Sequence, residues 1–123
     1  MSKALNETIA AIGYDNLFVE NIPEADVVTV KLVEAGVVKR GTVLSGTPGN
    51  ADFAALAAPA SADKALYVLA DDCDTAEDPV GIAYRTGHFN RNALIVAEGY
   101  ALTAADEEIL RKSGILLADA LEY

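Results

Sequence analysis

The chain has 123 residues, with nine basic and nineteen acidic side chains and a formal net charge of −10. That length fits one domain with one modest hydrophobic core. The charge argues against binding to nucleic acid or to an anionic membrane, since both require clustered Lys and Arg, and the sequence contains no such cluster.

The compartment is indicated by the cysteine count and by the apolar runs. One cysteine cannot form an intrachain disulfide, and no apolar run approaches the roughly twenty residues that span a bilayer. The N-terminus has no continuous apolar core of the kind a signal peptide needs. We therefore expect synthesis in a cytoplasm and no membrane partner.

Residues 1–25 have two interpretations that the sequence leaves open. One is a loosely ordered terminus, and the other is an arm that becomes ordered on a partner. Residues 2–12 are compatible with a short helix, and residues 14–25 predict extended chain interrupted at a proline. Leu17, Phe18 and Val19 form an apolar triplet that an arm would expose. The predicted organisation is an arm over 1–25 and a domain over 26–123.

The domain is predicted to be mainly β. Val28, Val30 and Leu32 alternate with polar residues, which predicts a strand over 26–36. Residues 47–65 show no clean period and predict a long loop with one helical turn near 53–56. The further strands are expected at 42–44, 65–71, 80–86 and 92–97.

A single helix is predicted over about 103–113. Thr103 suits the N-cap and Asp106 follows three residues later, which is a shortened capping box. Acidic residues fill the first turn and basic residues the last, in keeping with the helix dipole. Gly114 can end the helix in a left-handed conformation, with Ile115 as the hydrophobic contact. One helix among several short strands predicts a mainly β (α+β) fold, because a parallel α/β sheet would alternate its elements.

Catalytic and metal sites find little support in the sequence. The acidic loop 71–78 lacks the regular ligand offsets and central glycine of a calcium loop. Cys73 and His88 leave a zinc site at least two ligands short, and no serine lies in a nucleophile elbow. We therefore predict a protein without enzymatic activity, cofactor or metal, in which the acidic loop is a solvated connection.

One segment resembles a known family. Residues 83–117 contain Gly-x-Phe-Asn (Gly87, Phe89 and Asn90), then an apolar stretch, then a capped helix that ends in Gly114 and Ile115. This succession is similar to the C-terminal half of phage head decoration proteins of the lambda type, and residues 26–82 agree with them in outline. The histidine at position 88 and the N-terminal segment depart from the family pattern.

The resemblance implies a structural protein of the virion. Members of that family form homotrimers at the three-fold and quasi-three-fold positions of the expanded phage head. They bind the major capsid protein on the capsid exterior and hold the shell against the pressure of packaged DNA. Their N-terminal arms typically add a strand to capsid protein, so the resemblance makes Leu17, Phe18 and Val19 candidates for the capsid-binding arm.

Two other functions remain as alternatives. The first is a different virion module, such as a tail component, built on the same β-rich body. The second is a small metal-dependent or hydrolytic enzyme that uses Asp72, Asp74 and His88. Particle microscopy would separate decoration from a tail part, and metal analysis would test the enzyme.

Overall fold

The computed structural model describes residues 17–20, 24–61 and 63–119, and these form a mainly β fold with one α-helix near their C-terminal end. The α-helix, α1, covers Ala104–Lys112, and a single 3-10 turn covers Arg91–Ala93. The strands in the described ranges are β1 (Phe18–Glu20), β2 (Asp26–Lys31), β3 (Val37–Val38), β4 (Val43–Gly46), β5 (Ala54–Ala55), β6 (Ala65–Leu69), β7 (Cys73–Asp74), β8 (Val80–Asn90) and β9 (Ile115–Ala118). The expected β-rich domain with one C-terminal helix is confirmed.

Strand β8 organises the main sheet. Its eleven residues pair with β1, β2 and β6 in antiparallel fashion and with β9 in parallel fashion. Strand β4 lies between β6 and β5. Strands β3 and β7 form a separate two-stranded sheet.

The main sheet closes on itself. Phe53 makes a parallel bridge with Leu32, immediately after β2. The Val33 N–H donates to the Phe53 carbonyl (2.9 Å), and the Phe53 N–H donates to the Lys31 carbonyl (3.2 Å). Strands β2, β8, β6, β4 and β5 therefore form a small barrel, which satisfies backbone groups that an open sheet edge would leave exposed.

Two groups of buried side chains hold the fold. The barrel cluster lies among the barrel strands and includes one residue of β7; it comprises Val30, Leu32, Leu44, Phe53, Leu69, Cys73 and Ala83. The helix cluster lies under α1 and β9 and comprises Leu17, Val43, Leu56, Leu66, Val68, Phe89, Leu110 and Ile115. Strands β4 and β6 contribute to both clusters, because successive side chains of a strand point to opposite faces.

The predicted helix ends are confirmed. The Thr103 hydroxyl accepts from the Asp106 N–H (3.1 Å), and the Asp106 carboxylate accepts from the Thr103 N–H (3.0 Å). Gly114 has φ of 102° and follows the C-cap. Beyond it, the chain forms β9 over residues 115–118, parallel to the end of β8.

Two predicted elements differ in the second half of the chain. The strand expected over 80–86 continues to Asn90, so Gly87 lies inside β8. The strand expected over 92–97 is absent: the Asn90 carboxamide accepts from the Asn92 N–H (3.1 Å) and caps a 3-10 turn there. Ile95 retains only an isolated bridge to Thr42.

Two predictions differ in the first half. The helical turn expected near 53–56 is instead strand β5, because its backbone pairs with Leu44 and Ser45 of β4. The strand expected over 26–36 ends at Lys31, and the following chain bends toward the β3–β7 sheet. There the Ala35 N–H donates to the Thr75 hydroxyl (2.7 Å).

Residues 17–20 lie within the predicted arm over 1–25. Leu17 is 2% exposed and belongs to the helix cluster, and Phe18 packs against the same cluster. The expectation that the triplet is exposed is therefore wrong for these two residues, because β1 pairs with β8 and both side chains pack on the helix cluster. The domain includes residues 17–20. Most of the predicted arm, including the helix expected over 2–12, lies outside the described residues.

Candidate interaction surface

The residues that carry the family resemblance lie together at the end of β8. Phe89 and Ile115 are fully buried in the helix cluster. Asn90 is also buried, and its N–H donates to the Leu17 carbonyl (2.6 Å). The Gly87 N–H donates to the Gly114 carbonyl (3.1 Å), which joins β8 to the start of β9. These residues position the surrounding elements and present little surface to a partner.

Gly87 is required by the aromatic ring beside it. A Cβ atom at this position would lie 2.8 Å from two ring carbons of Phe89 and 3.3 Å from the Phe18 ring. Its φ of 154° is also one that residues with side chains rarely adopt. The Phe89 and Phe18 rings stack with centroids 4.8 Å apart. The Gly-x-Phe sequence thus places an aromatic ring over a strand glycine, which closes the gap that the missing side chain leaves.

Arg40 connects the Tyr84 ring, which contacts the Phe18 and Phe89 rings, to the acidic loop. Its guanidinium lies 5.7 Å from the centroid of the Tyr84 ring and donates to the Tyr84 hydroxyl (3.1 Å) and to the Ala70 carbonyl (2.6 Å). The Arg40 backbone N–H donates to the Asp72 carboxylate (2.8 Å). The guanidinium is therefore directed toward the body of the domain, while the backbone of the same residue fixes the start of the loop.

The acidic loop is held from within. Cys73 is buried, and its thiol lies 3.4 Å from the Asp78 carbonyl, to which it donates. Burial raises the pKa of the Cys73 thiol, and the charges of Asp78 and Asp74 raise it further. The Thr75 hydroxyl donates to the Gly36 carbonyl (2.7 Å). These contacts order the loop and leave its carboxylates at the surface.

Asp106 ties the helix to a distant loop. It is 1% exposed, and its carboxylate accepts from the Ala60 N–H (2.8 Å), the Thr103 N–H (3.0 Å) and the Tyr100 hydroxyl. Burial alone raises the pKa of Asp106, but hydrogen bonds from Tyr100, Ala60 and Thr103 outweigh it, so the pKa lies below its usual value. The hydrogen bond between Tyr100 and Asp106 also raises the pKa of Tyr100. This arrangement stabilises the fold and leaves the carboxylate closed to solvent.

The predicted catalytic and metal candidates are not brought together. Cys73 lines a cleft beside the acidic loop, whereas His88 lines a different cleft with Glu107, Glu108 and Arg111 of the helix. Among the described residues, no group of three or more His, Cys, Asp or Glu side chains is placed to hold a metal ion.

Exposed apolar side chains instead mark the outer face of β2 and β8. Val27, Ile82 and Val80 are 55%, 47% and 41% exposed. Val80 and Ile82 are two residues apart on one strand, and Val27 lies diagonally across from Ile82, because Val27 pairs with Tyr84 while Ile82 pairs with Thr29. We call these three side chains the apolar strip.

The acidic loop borders the apolar strip. Val80 and Ile82 line a cleft of about 310 Å³ together with carboxylates of the loop. The Ala70 N–H donates to the Ile82 carbonyl (2.8 Å), so the loop begins directly beside the strip. The surface thus combines an apolar centre with an acidic border, and an apolar centre within a polar rim is the usual arrangement of a protein contact site.

The apolar strip was missed from sequence although a signal for it exists. In Val80–Ala83 the small residues Gly81 and Ala83 point inward, whereas Val80 and Ile82 point outward, the reverse of an ordinary amphipathic strand. A Cβ at Gly81 would lie 3.2 Å from Leu32, so a larger residue there would have to displace side chains of the barrel cluster. Packing inside the barrel therefore does not explain the large aliphatic side chains at the outward positions.

Within the described part of the chain, no helix has the length and apolar character needed to cross a membrane. Comparison with protein-family models finds no match to this chain, and comparison with curated proteins finds none either. An inference about function therefore depends on the sequence resemblance and on the surface described above.

Proposed function

We propose that this protein is a phage capsid decoration protein. It binds the exterior of the expanded head at three-fold and quasi-three-fold positions and stabilises the shell against the pressure of packaged DNA. It contacts the major capsid protein, acts as a homotrimer without enzymatic activity, and is located on the capsid exterior of the virion.

One observation carries this proposal. The segment that resembles lambda-type decoration proteins, residues 83–117, is a continuous structural unit in which β8, the 3-10 turn, α1 and β9 pack around Phe89 and Ile115. The spacing of Gly87, Phe89, Gly114 and Ile115 is explained by contacts among these residues. These matching residues therefore share one structural role. A match of this kind is more specific than a short motif, which supports assigning the chain to the decoration protein family.

The physical setting also suits a decoration protein. A trimer attaches three times, so its second and third attachments are effectively intramolecular and weak single contacts add up to stable binding. The net charge of −10 disfavours adsorption to free DNA during assembly. The segment before Leu17 is the remaining candidate for the capsid-binding arm, since Leu17 and Phe18 are engaged within the domain.

The direct test mixes purified protein with expanded shells of the phage that encodes it. We expect saturable binding, trimeric density at the three-fold positions in cryo-electron microscopy, and shells that withstand higher temperature. Labelling at one end of the particle would identify a tail component instead. An absence of binding to expanded shells would refute the proposal.

The arm is tested separately by deleting residues 1–16. We expect the truncated protein to stay folded, because its first described core residue, Leu17, is retained, and to lose capsid binding. Full binding by the truncated protein would show that the arm is not the attachment point.

A further inference from the structure

We propose that the apolar strip and its acidic border bind a segment of the capsid protein that carries Lys or Arg beside aliphatic side chains. This inference rests on the proposed function, for which it names the attachment surface on the domain and the chemistry of the partner segment.

The apolar strip supplies the attraction at the centre. Val27, Ile82 and Val80 lie on the same face of two paired strands, and each residue is about half exposed. Single exposed aliphatic residues are ordinary, but adjacent ones on a rigid sheet mark contact sites. Both strands pair along their length, so the apolar strip is preformed and a partner orders little on binding.

The border supplies the charge. Five carboxylates line the same cleft as Val80 and Ile82: Asp71, Asp72, Asp74, Glu77 and Asp78. Two lysines partly balance them, Lys39 at 3.7 Å from Asp72 and Lys31 opposite Val80. Arg40 lies at the start of the loop, where its guanidinium donates to Ala70 and Tyr84. The five carboxylates outnumber these three cations, so the described border is negative.

Charge complementarity selects the occupant. A negative border repels phosphate groups, which disfavours nucleic acid and anionic membrane as partners. A second copy also carries a net charge of −10, so like-charge repulsion disfavours it as the occupant of an acidic border. A protein segment with aliphatic side chains and flanking Lys or Arg satisfies both parts of the surface.

The test uses two altered proteins in the shell-binding assay. The double variant Asp71→Lys/Glu77→Lys reverses two border charges whose side chains make no hydrogen bond or ion pair with other described residues. The variant Ile82→Asp places a charge in the centre of the strip. Matched controls are Asp63→Lys/Glu98→Lys, at exposed positions elsewhere, and Ile95→Asp, at an aliphatic residue of similar exposure.

We expect both test variants to bind shells about ten-fold more weakly or worse, because like charge or a buried carboxylate at an interface costs at least about 1.4 kcal/mol. The controls should bind like the unaltered protein. Added salt should weaken the unaltered protein more than the double border variant. If Ile82→Asp does not fold, the double variant still tests the proposed contact, because it is changed only at exposed positions.

Other outcomes overturn the inference. Test variants that bind shells as well as the controls would refute it while leaving the decoration function intact. Failure of the unaltered protein to bind expanded shells would refute both. A change of oligomeric state in Ile82→Asp, measured by sedimentation, would show that a second copy covers the strip and would refute the capsid contact there.

Discussion

The contacts of Asp106 lead to a quantitative prediction about stability. The variant Asp106→Asn keeps the shape of the side chain but replaces one carboxylate oxygen with an amide NH2 group. In the unaltered protein, one carboxylate oxygen accepts from the Ala60 N–H, and the other accepts from the Thr103 N–H and the Tyr100 hydroxyl. In either orientation of the amide, at least one buried donor faces another donor.

The expected cost is substantial. A hydrogen bond to a charged group contributes about 1.5–3 kcal/mol, and a buried donor left unpaired costs a similar amount. We expect Asp106→Asn to lower the free energy of unfolding by about 2–3 kcal/mol, and Asp106→Ala, which abandons all three donors, by about 3–5 kcal/mol.

The pH dependence gives the sharper measurement. The pKa of Asp106 is lower in the folded protein than in the unfolded chain, so its contribution is complete above the unfolded value of about 4 and is lost as pH falls through the lower folded value. Urea unfolding of the unaltered protein and Asp106→Asn, from about pH 7 to about pH 2, should therefore show a difference that shrinks only at the acid end.

The control is Asp63→Asn, the same chemical change at an exposed residue. It should alter stability by less than about 0.5 kcal/mol at every pH. A loss below about 1 kcal/mol for Asp106→Asn, or a loss independent of pH, would contradict the role assigned to these hydrogen bonds.

Three further predictions concern other parts of the fold. Gly87→Ala should lower the free energy of thermal unfolding by about 2–4 kcal/mol, because it combines a strained φ with overpacking against the Phe89 ring. Gly36→Ala, with positive φ but open space, should lower it by only about 1–2 kcal/mol. Equal losses would contradict the steric argument. Leu17→Ala should cost about 2–5 kcal/mol, because the side chain is buried in the helix cluster, and a loss no larger than that of Val19→Ala would return residues 17–19 to the arm. The Cys73 thiol should react with a disulfide reagent at mildly alkaline pH only as fast as the protein opens, since burial shields it and raises its pKa; rapid labelling of folded protein would contradict this.

Regions governed by local interactions were predictable from sequence. The α1 boundaries follow from Thr103, Asp106 and Gly114, because caps and dipole interactions act within one helical turn. Strands β2 and β6 follow from their periodicity and β-branched or aliphatic residues. The β-rich class follows from these elements without knowledge of how they pair.

Regions governed by contacts between distant residues were not predictable. Residues 53–56 read as a helical turn because alanines surround them, but the backbone of Phe53 is bound to β2, more than twenty residues away. Residues 92–97 have an apolar strand composition, yet the Asn90 side chain caps a turn there. In both cases tertiary partners outweigh local propensities of a few tenths of a kcal/mol per residue.

The sequence by itself determined the β-rich class, the capped helix and the Gly-x-Phe succession, since each depends on neighbours close in the chain. Only the tertiary structure decided that Leu17 and Phe18 belong to the domain, that Asp106 also holds Ala60, and that Ile82 faces outward beside acidic residues. These facts depend on which strand pairs with β8 and which side chains already fill the barrel. Periodicity cannot assign a face of a strand until the packing partner on each side is known.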